Sequence, residues 1–221
     1  MKALMVLVVL ALSVPGFPQL ITSPYGMGVG AAGGIPVVTI GTQTWMAKNL
    51  SVTKFSDGAS ISEVTSSGDW SSTTSPARAK YDNDASYVSN GYGYIYNNYA
   101  IVSAKGICPS GFHVPSATEW TTLINYLGGF NTAGGAMKTP GTTFWANPNS
   151  VGTDSGFRAH GGGARLSAGS FYAAGTLVYY ATSGSTYFYM SNADTKINGG
   201  YTGYYGVSSN TEGFYVRCIK D

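Results

Sequence analysis

The sequence predicts an α+β fold of small antiparallel sheets, one or two short helices and long Gly/Tyr-rich loops. Three observations predict it. Of 221 residues, 31 are Gly and 17 are Tyr while only 10% are charged, a balance that suits a loop-rich β protein. A single segment carries a helical period together with its own start and stop signals. After Phe157 no helical period occurs, and short aromatic runs alternate with Gly, Ser, Asn and Thr.

Taken in order, Met1 and Lys2 precede an apolar run over residues 3–14, too short to span a bilayer. Two readings of residues 1–22 stay open. The basic-then-apolar order is that of a secretory signal-like segment. Pro15, Gly16, Phe17 and Pro18 stand where a small-residue cleavage site belongs, which fits a retained arm anchoring the chain in an assembly. Residues 23–36, SPYGMGVGAAGGIP, read as a Gly-rich linker, and the folded domain as residues 37–221. VVTIGTQTW alternates as a strand over residues 37–45, with Gly41 at a turn or bulge. Residues 66–77 read as loop, and YGYIYNNYAIV, residues 92–102, as a strand. The helix starts at Ser116, an N-cap completed by Glu119 three residues on. Trp120, Leu123, Ile124 and Leu127 then form one apolar stripe, and Gly128 and Gly129 end it. The closing EGFYVRCIKD alternates like a strand, with Phe214, Val216 and Cys218 on one face.

The chemistry is sparse. Twelve Lys+Arg against ten Asp+Glu give a net charge of +2, and the basic residues are scattered. No cluster exists to neutralise a phosphate backbone, so no nucleic-acid partner is expected. CPSGFHVPSATEW, residues 108–120, holds one of two cysteines and one of two histidines. His113 and His160 are too few and too far apart in sequence for a zinc ligand set, and His113 reads as scaffold. Two cysteines in a chain that looks exported favour a Cys108–Cys218 disulfide, which leaves no thiolate for catalysis. Asp82 and Asp84 lack the Gly and Glu that an EF-hand loop adds, and Asp154 stands alone. HGGGAR, residues 160–165, lacks the Lys-Ser/Thr of a phosphate loop. No catalytic residue, metal or cofactor is expected.

VTIGTQTWMAKNL, YGYIYNNYAI, CPSGFHVPSATEWTTLINYLGG, GFRA and EGFYVRCIKD occur in this order. Together they closely resemble the Fibrobacter succinogenes major paralogous (FISUMP) domain family, from about Val37 to Asp221. The resemblance implies a C-type lectin-like fold, in the branch shared with formylglycine-generating enzymes and the variable proteins of diversity-generating retroelements. It also implies that Cys108 is the scaffold partner of Cys218, and that Gly111, Phe112, His113 and Pro115 form the turn into the helix. Formylglycine-generating chemistry needs groove cysteines that this chain does not have to spare. The Glu-Pro-Asn, Gln-Pro-Asp and Trp-Asn-Asp calcium-sugar motifs are absent.

Family members usually carry a GYWWSST-like stretch after the Gly-Phe-Arg segment. Here GTLVYYATSGSTYFYMSNAD stands there, with Tyr179 and Tyr180 in place of the tryptophans. Residues 167–215 use Tyr, Ser, Gly, Asn, Thr and Ala, the vocabulary of antibody paratopes. Adenine-directed mutation of Asn codons in retroelement variable proteins leaves the same residues, and resemblance places such a segment at about residues 168–210. The expected ligand-binding residues are Tyr172, Tyr179, Tyr180, Tyr187, Tyr189, Tyr201, Tyr204 and Tyr205. In STYFYMS, strand alternation turns Tyr187 and Tyr189 outward and Phe188 inward. The expected function is non-catalytic recognition of a protein or glycan ligand, extracellular or at a cell surface, or as a phage receptor-binding or fibre component. The alternative is a structural or assembly subunit of a virion or surface filament, anchored by its N-terminal arm, with its tyrosine face packing on neighbours in a homo-oligomer or virion. No transmembrane span is expected.

Overall fold

The computed structural model describes residues 34–199 and 209–221. The fold is α+β, with three small sheets, five short α-helices and one 3-10 turn (Tyr81–Asn83) among the described residues. The four-stranded sheet runs β1 (Val37–Ile40), β2 (Gln43–Met46), β13 (Ile219–Lys220), β6 (Phe112–His113). The six-stranded sheet runs β3 (Ser62–Glu63), β4 (Ala77–Ala79), β5 (Ile95–Asn97), β12 (Gly213–Phe214), β7 (Ala164–Arg165), β8 (Phe171–Tyr172). The three-stranded sheet runs β11 (Ile197–Gly199), β10 (Tyr187–Ser191), β9 (Leu177–Ala181). All pairs are antiparallel except β3 with β4.

Local chemistry explains where these elements depart from the sequence reading. The strand expected over residues 37–45 is a hairpin, because Gly41 adopts φ +61° and reverses the chain between β1 and β2. The strand expected over residues 92–102 stops at Asn97. Its side-chain Oδ1 accepts from the Ala100 N–H (3.1 Å), capping helix α3 (Asn98–Ile101), and also from the Ala77 N–H (2.9 Å). The expected loop over residues 66–77 contains helix α1 (Ser67–Ser72), capped by Ser66 and holding the buried Trp70. Helix α2 (Ala85–Ser89) is capped in the same way by Asp84. The count of one or two helices was therefore low, because helices this short hold too few residues to display a period.

Helix α4 (Ala117–Tyr126) is the one the period predicted. Ser116 Oγ accepts from the Glu119 N–H (3.2 Å), and Glu119 Oε2 accepts from the Ser116 N–H (2.7 Å), closing the capping box. Trp120, Leu123 and Ile124 are buried and Leu127 is partly buried. Beyond Leu127 the chain turns through Gly128 and Gly129, then enters helix α5 (Ala133–Met137).

All four tryptophans lie in one core cluster with Phe157, Tyr180, Phe188 and Tyr215. A second cluster holds Leu50, Ile101, Ile107, Cys108, Phe214, Val216 and Cys218. The terminal segment runs between them. Phe214, Val216 and Cys218 enter the second cluster, while Tyr215 and Ile219 enter the first. The alternation is that of a strand buried on both sides. Cys108 and Cys218 are bonded, with Cα atoms 6.0 Å apart, so the bridge ties this segment to the loop before β6.

Three buried cations fasten loops to this core. Arg165 donates to the carbonyls of Val64, Thr65, Ser66 and Gly169, with its guanidinium over Trp70 (4.4 Å). Lys138 donates to the Ser191 and Asp194 carbonyls at 2.6 Å each, and burial lowers its pKa to about 8. Arg217 donates to Asn49 Oδ1 (2.6 Å from Nη2) and to the Phe157 carbonyl (2.6 Å), over the Phe157 ring (4.4 Å). Each is met by neutral oxygens and an aromatic face, which satisfies a buried cation without a buried carboxylate.

Candidate ligand-binding surface

Strands β9 and β10 pair in a register that sets Tyr189 opposite Tyr179, Phe188 opposite Tyr180 and Tyr187 opposite Ala181. Side chains alternate across a strand, so this register sorts them into two faces. Val178, Tyr180, Phe188 and Met190 point inward and are fully buried. Tyr179, Tyr187 and Tyr189 lie on the opposite face and are partly buried, Tyr179 and Tyr187 packing against the second core cluster. On the far side of β10, Asn198 of β11 sits opposite Tyr189. A turn joins the strands at Thr182 and Thr186, whose backbone hydrogen bond (2.9 Å) is doubled by a hydroxyl contact of 2.8 Å.

The outward tyrosines form an aromatic ladder. Tyr179 stacks on Tyr189 (5.4 Å between centroids) and on Phe214 of β12 (5.7 Å), and Tyr187 meets Phe214 at 4.8 Å. Phe214 itself is buried, so the ladder rests on the six-stranded sheet through one ring. Backbone bonds bind the same junction: Tyr215 N–H donates to the Tyr179 carbonyl (3.0 Å) and Ala181 N–H to the Tyr215 carbonyl (3.0 Å). Rings stacked in this way lose little further entropy on meeting a ligand.

Tyr180 is a correction to the expected set. Its place in β9 faces the core, where it is fully buried and its hydroxyl donates to Asn49 Oδ1 (2.9 Å). Burial raises its pKa, and it serves the Arg217–Asn49 network rather than a ligand. Tyr172 is 47% exposed but lies on β8, in a different sheet from the ladder. Tyr201, Tyr204 and Tyr205 lie outside the described residues.

His113 acts as a latch. Its Nδ1 lies 2.7 Å from Asp221 Oδ1 and its Nε2 2.8 Å from Glu119 Oε1, joining the chain after β13 to the capping box of α4. Partial burial alone would lower its pKa, but the hydrogen bonds to Asp221 and Glu119 outweigh it and raise it. Among the described residues no group of three or more His, Cys, Asp or Glu side chains could hold a metal ion, and both cysteines are in the disulfide. A cleft of about 440 Å³ opens beside this latch, lined by Ile101, Val102, Ile107, Phe112 and Val114 with serines at its edge.

The disulfide, the capped helix and the closing RCIK segment thus converge on one scaffold. The sequence profile of the Fibrobacter succinogenes major domain matches residues 38–220. The chain belongs to this family. The matched span takes in the tyrosine strands as well as the scaffold. No curated protein and no solved structure matches the chain. No helix among the described residues of this Fibrobacter succinogenes major domain is long and apolar enough to cross a membrane.

Composition missed the Asn49–Tyr180–Arg217 network, yet one signal was readable. If Phe214, Val216 and Cys218 share a face, Arg217 belongs to the opposite one, with Tyr215 and Ile219. In the structure both faces are buried, which makes Arg217 a core cation.

Proposed function

We propose that this protein is a non-catalytic recognition protein whose C-terminal tyrosine surface binds a protein or glycan ligand on a cell surface. The observation that carries the reading is the division of labour in β9 and β10. One face supplies Val178, Tyr180, Phe188 and Met190 to the core, while the other carries Tyr179, Tyr187 and Tyr189, partly buried and partly open to solvent, around the Phe214 ring. A surface built this way changes its outward side chains without changing the scaffold beneath. The motif resemblance adds the finer reading: a C-type lectin-like scaffold carrying a hypervariable segment over about residues 168–210, working outside the cytoplasm or at the tip of a phage fibre.

The test overlays the purified full chain on a printed glycan array and on panels of intact bacterial cells. Saturable binding is expected, and Tyr189→Ala reduces it by about thirtyfold or more, as an aromatic anchor worth about 2 kcal/mol requires. Binding that survives Tyr189→Ala and Tyr187→Ala unchanged assigns recognition to another surface and overturns the reading.

A further inference from the structure

A second concavity shares no residue with the tyrosine ladder. It is a cleft of about 260 Å³ between Lys48, the end of α2 at Ser89–Gly91, and the segment that carries Arg158 and His160. Arg217, only 2% exposed, also lines it. No Asp or Glu is among its lining residues. Asp154 accepts from Arg158 Nε (3.2 Å) and Nη2 (2.9 Å) and so neutralises part of that charge. Arg217 meets only neutral acceptors, the Asn49 amide oxygen, the Tyr180 hydroxyl and the Met46 and Phe157 carbonyls, so its charge is shared with the cleft. Lys48 stands exposed at the rim.

His160 supplies the wall. Its ring stacks on Phe144 (3.6 Å between centroids, 6° between planes) and meets the Tyr92 ring edge-on (5.3 Å). Its Nδ1 is buried with no hydrogen-bond partner among the described residues. Burial, then the charges of Arg217 and Lys48, push its pKa down to about 3. A neutral imidazole offers one N–H donor, and the positive field of Arg217 and Lys48 repels a further cation.

We propose that this cleft binds an anionic group, a carboxylate or a sulfate or phosphate ester, borne by a ligand that lies against the His160 ring. Lys48 supplies the mobile contact, Arg217 the fixed field and His160 the neutral donor. A buried cation beside an open cleft, without a carboxylate to neutralise it, makes the site selective by charge.

The chain has two histidines, so every imidazole resonance belongs to His160 or His113. The ¹⁵N-labelled full chain is titrated with sodium sulfate at neutral pH, with sodium chloride holding ionic strength constant. Methyl phosphate and acetate form the parallel arms that rank the anion chemistries. His160 should shift saturably while His113, held between Glu119 and Asp221, stays fixed. Lys48→Ala, at an exposed position, should weaken binding at least about fivefold, the loss expected of one charged hydrogen bond. Asp154→Asn removes the competing carboxylate and should tighten it. The proposal is overturned if no anion moves His160, if both histidines move in parallel, or if Lys48→Ala binds sulfate like the unaltered chain.

Discussion

Neighbouring residues on β10 should respond very differently to the same truncation. Phe188 is fully buried, 5.5 Å from Trp120 and opposite Tyr180 in the strand register. Phe188→Ala leaves a cavity among rings that cannot close over it, at a cost of about 3–5 kcal/mol. Tyr189 is half-buried and stacks on Tyr179 at 5.4 Å. Tyr189→Ala forfeits that stack and some shared area, about 1–1.5 kcal/mol. With a urea m-value of about 2.5 kcal/mol/M for a domain of this size, the midpoints should fall by about 1.5 M and about 0.5 M. Equilibrium urea unfolding of both variants, with the disulfide intact, reads the difference. Equal shifts would refute the reasoning, because Tyr189 would then belong to the core and β10 would have no face to spare for a ligand.

Other perturbations act on the scaffold and on its charges. Cys108→Ala/Cys218→Ala opens a loop of 110 residues and should cost about 5 kcal/mol on chain-entropy grounds; an unchanged urea midpoint would contradict this. Leu123→Ala, at a fully buried site on α4, should cost about 2–5 kcal/mol, again read from the midpoint. The two histidines should work in opposite senses. The pKa of His160 is lowered to about 3, so its neutral form is favoured by folding. Its contribution is present above the unfolded value of about 6.5 and is lost as pH falls from there towards about 3. The pKa of His113 is raised, so its contribution is present below about 6.5 and is lost as pH rises through the higher folded value. His160→Phe should therefore flatten the acid side of the stability–pH curve and His113→Phe the neutral side; identical effects would break the assignment. Partial burial alone would raise the Glu119 pKa, but hydrogen bonds from Ser116 and His113 outweigh it and lower it. The Glu119 share of the latch is therefore lost as pH falls through that lowered value.

How much of this was legible in the sequence depended on whether a single strong local rule governed the segment. Helix α4 was legible because its capping box, apolar stripe and terminal glycines agree. The disulfide was legible because the chain has two cysteines and each sits in a motif that carries the family resemblance. The inward turn of Phe188 followed from alternation together with the preference of Phe for a core. The short helices at Ser67, Ala85 and Asn98 were not legible, because each rests on one capping side chain and on tertiary contacts such as the burial of Trp70. Tyr180 was misassigned because composition cannot tell an outward tyrosine from one whose hydroxyl is bonded in the core. The basic cleft was invisible, since Lys48, Arg158, His160 and Arg217 come together only when the terminal segment threads between the two core clusters.

The most direct test of the central claim randomises two sets of positions in separate displayed libraries. One set is Tyr179, Tyr187 and Tyr189; the other is Val178, Tyr180 and Phe188. Each library is sorted first for protease resistance and then for binding to the cells or glycans that the unaltered chain recognises. The outward library should keep most of its members protease-resistant while losing the original binding, and the inward library should lose resistance in nearly all. Equal loss of resistance in both libraries would show that the tyrosine ladder is scaffold, and the claim that it is a recognition surface would fall.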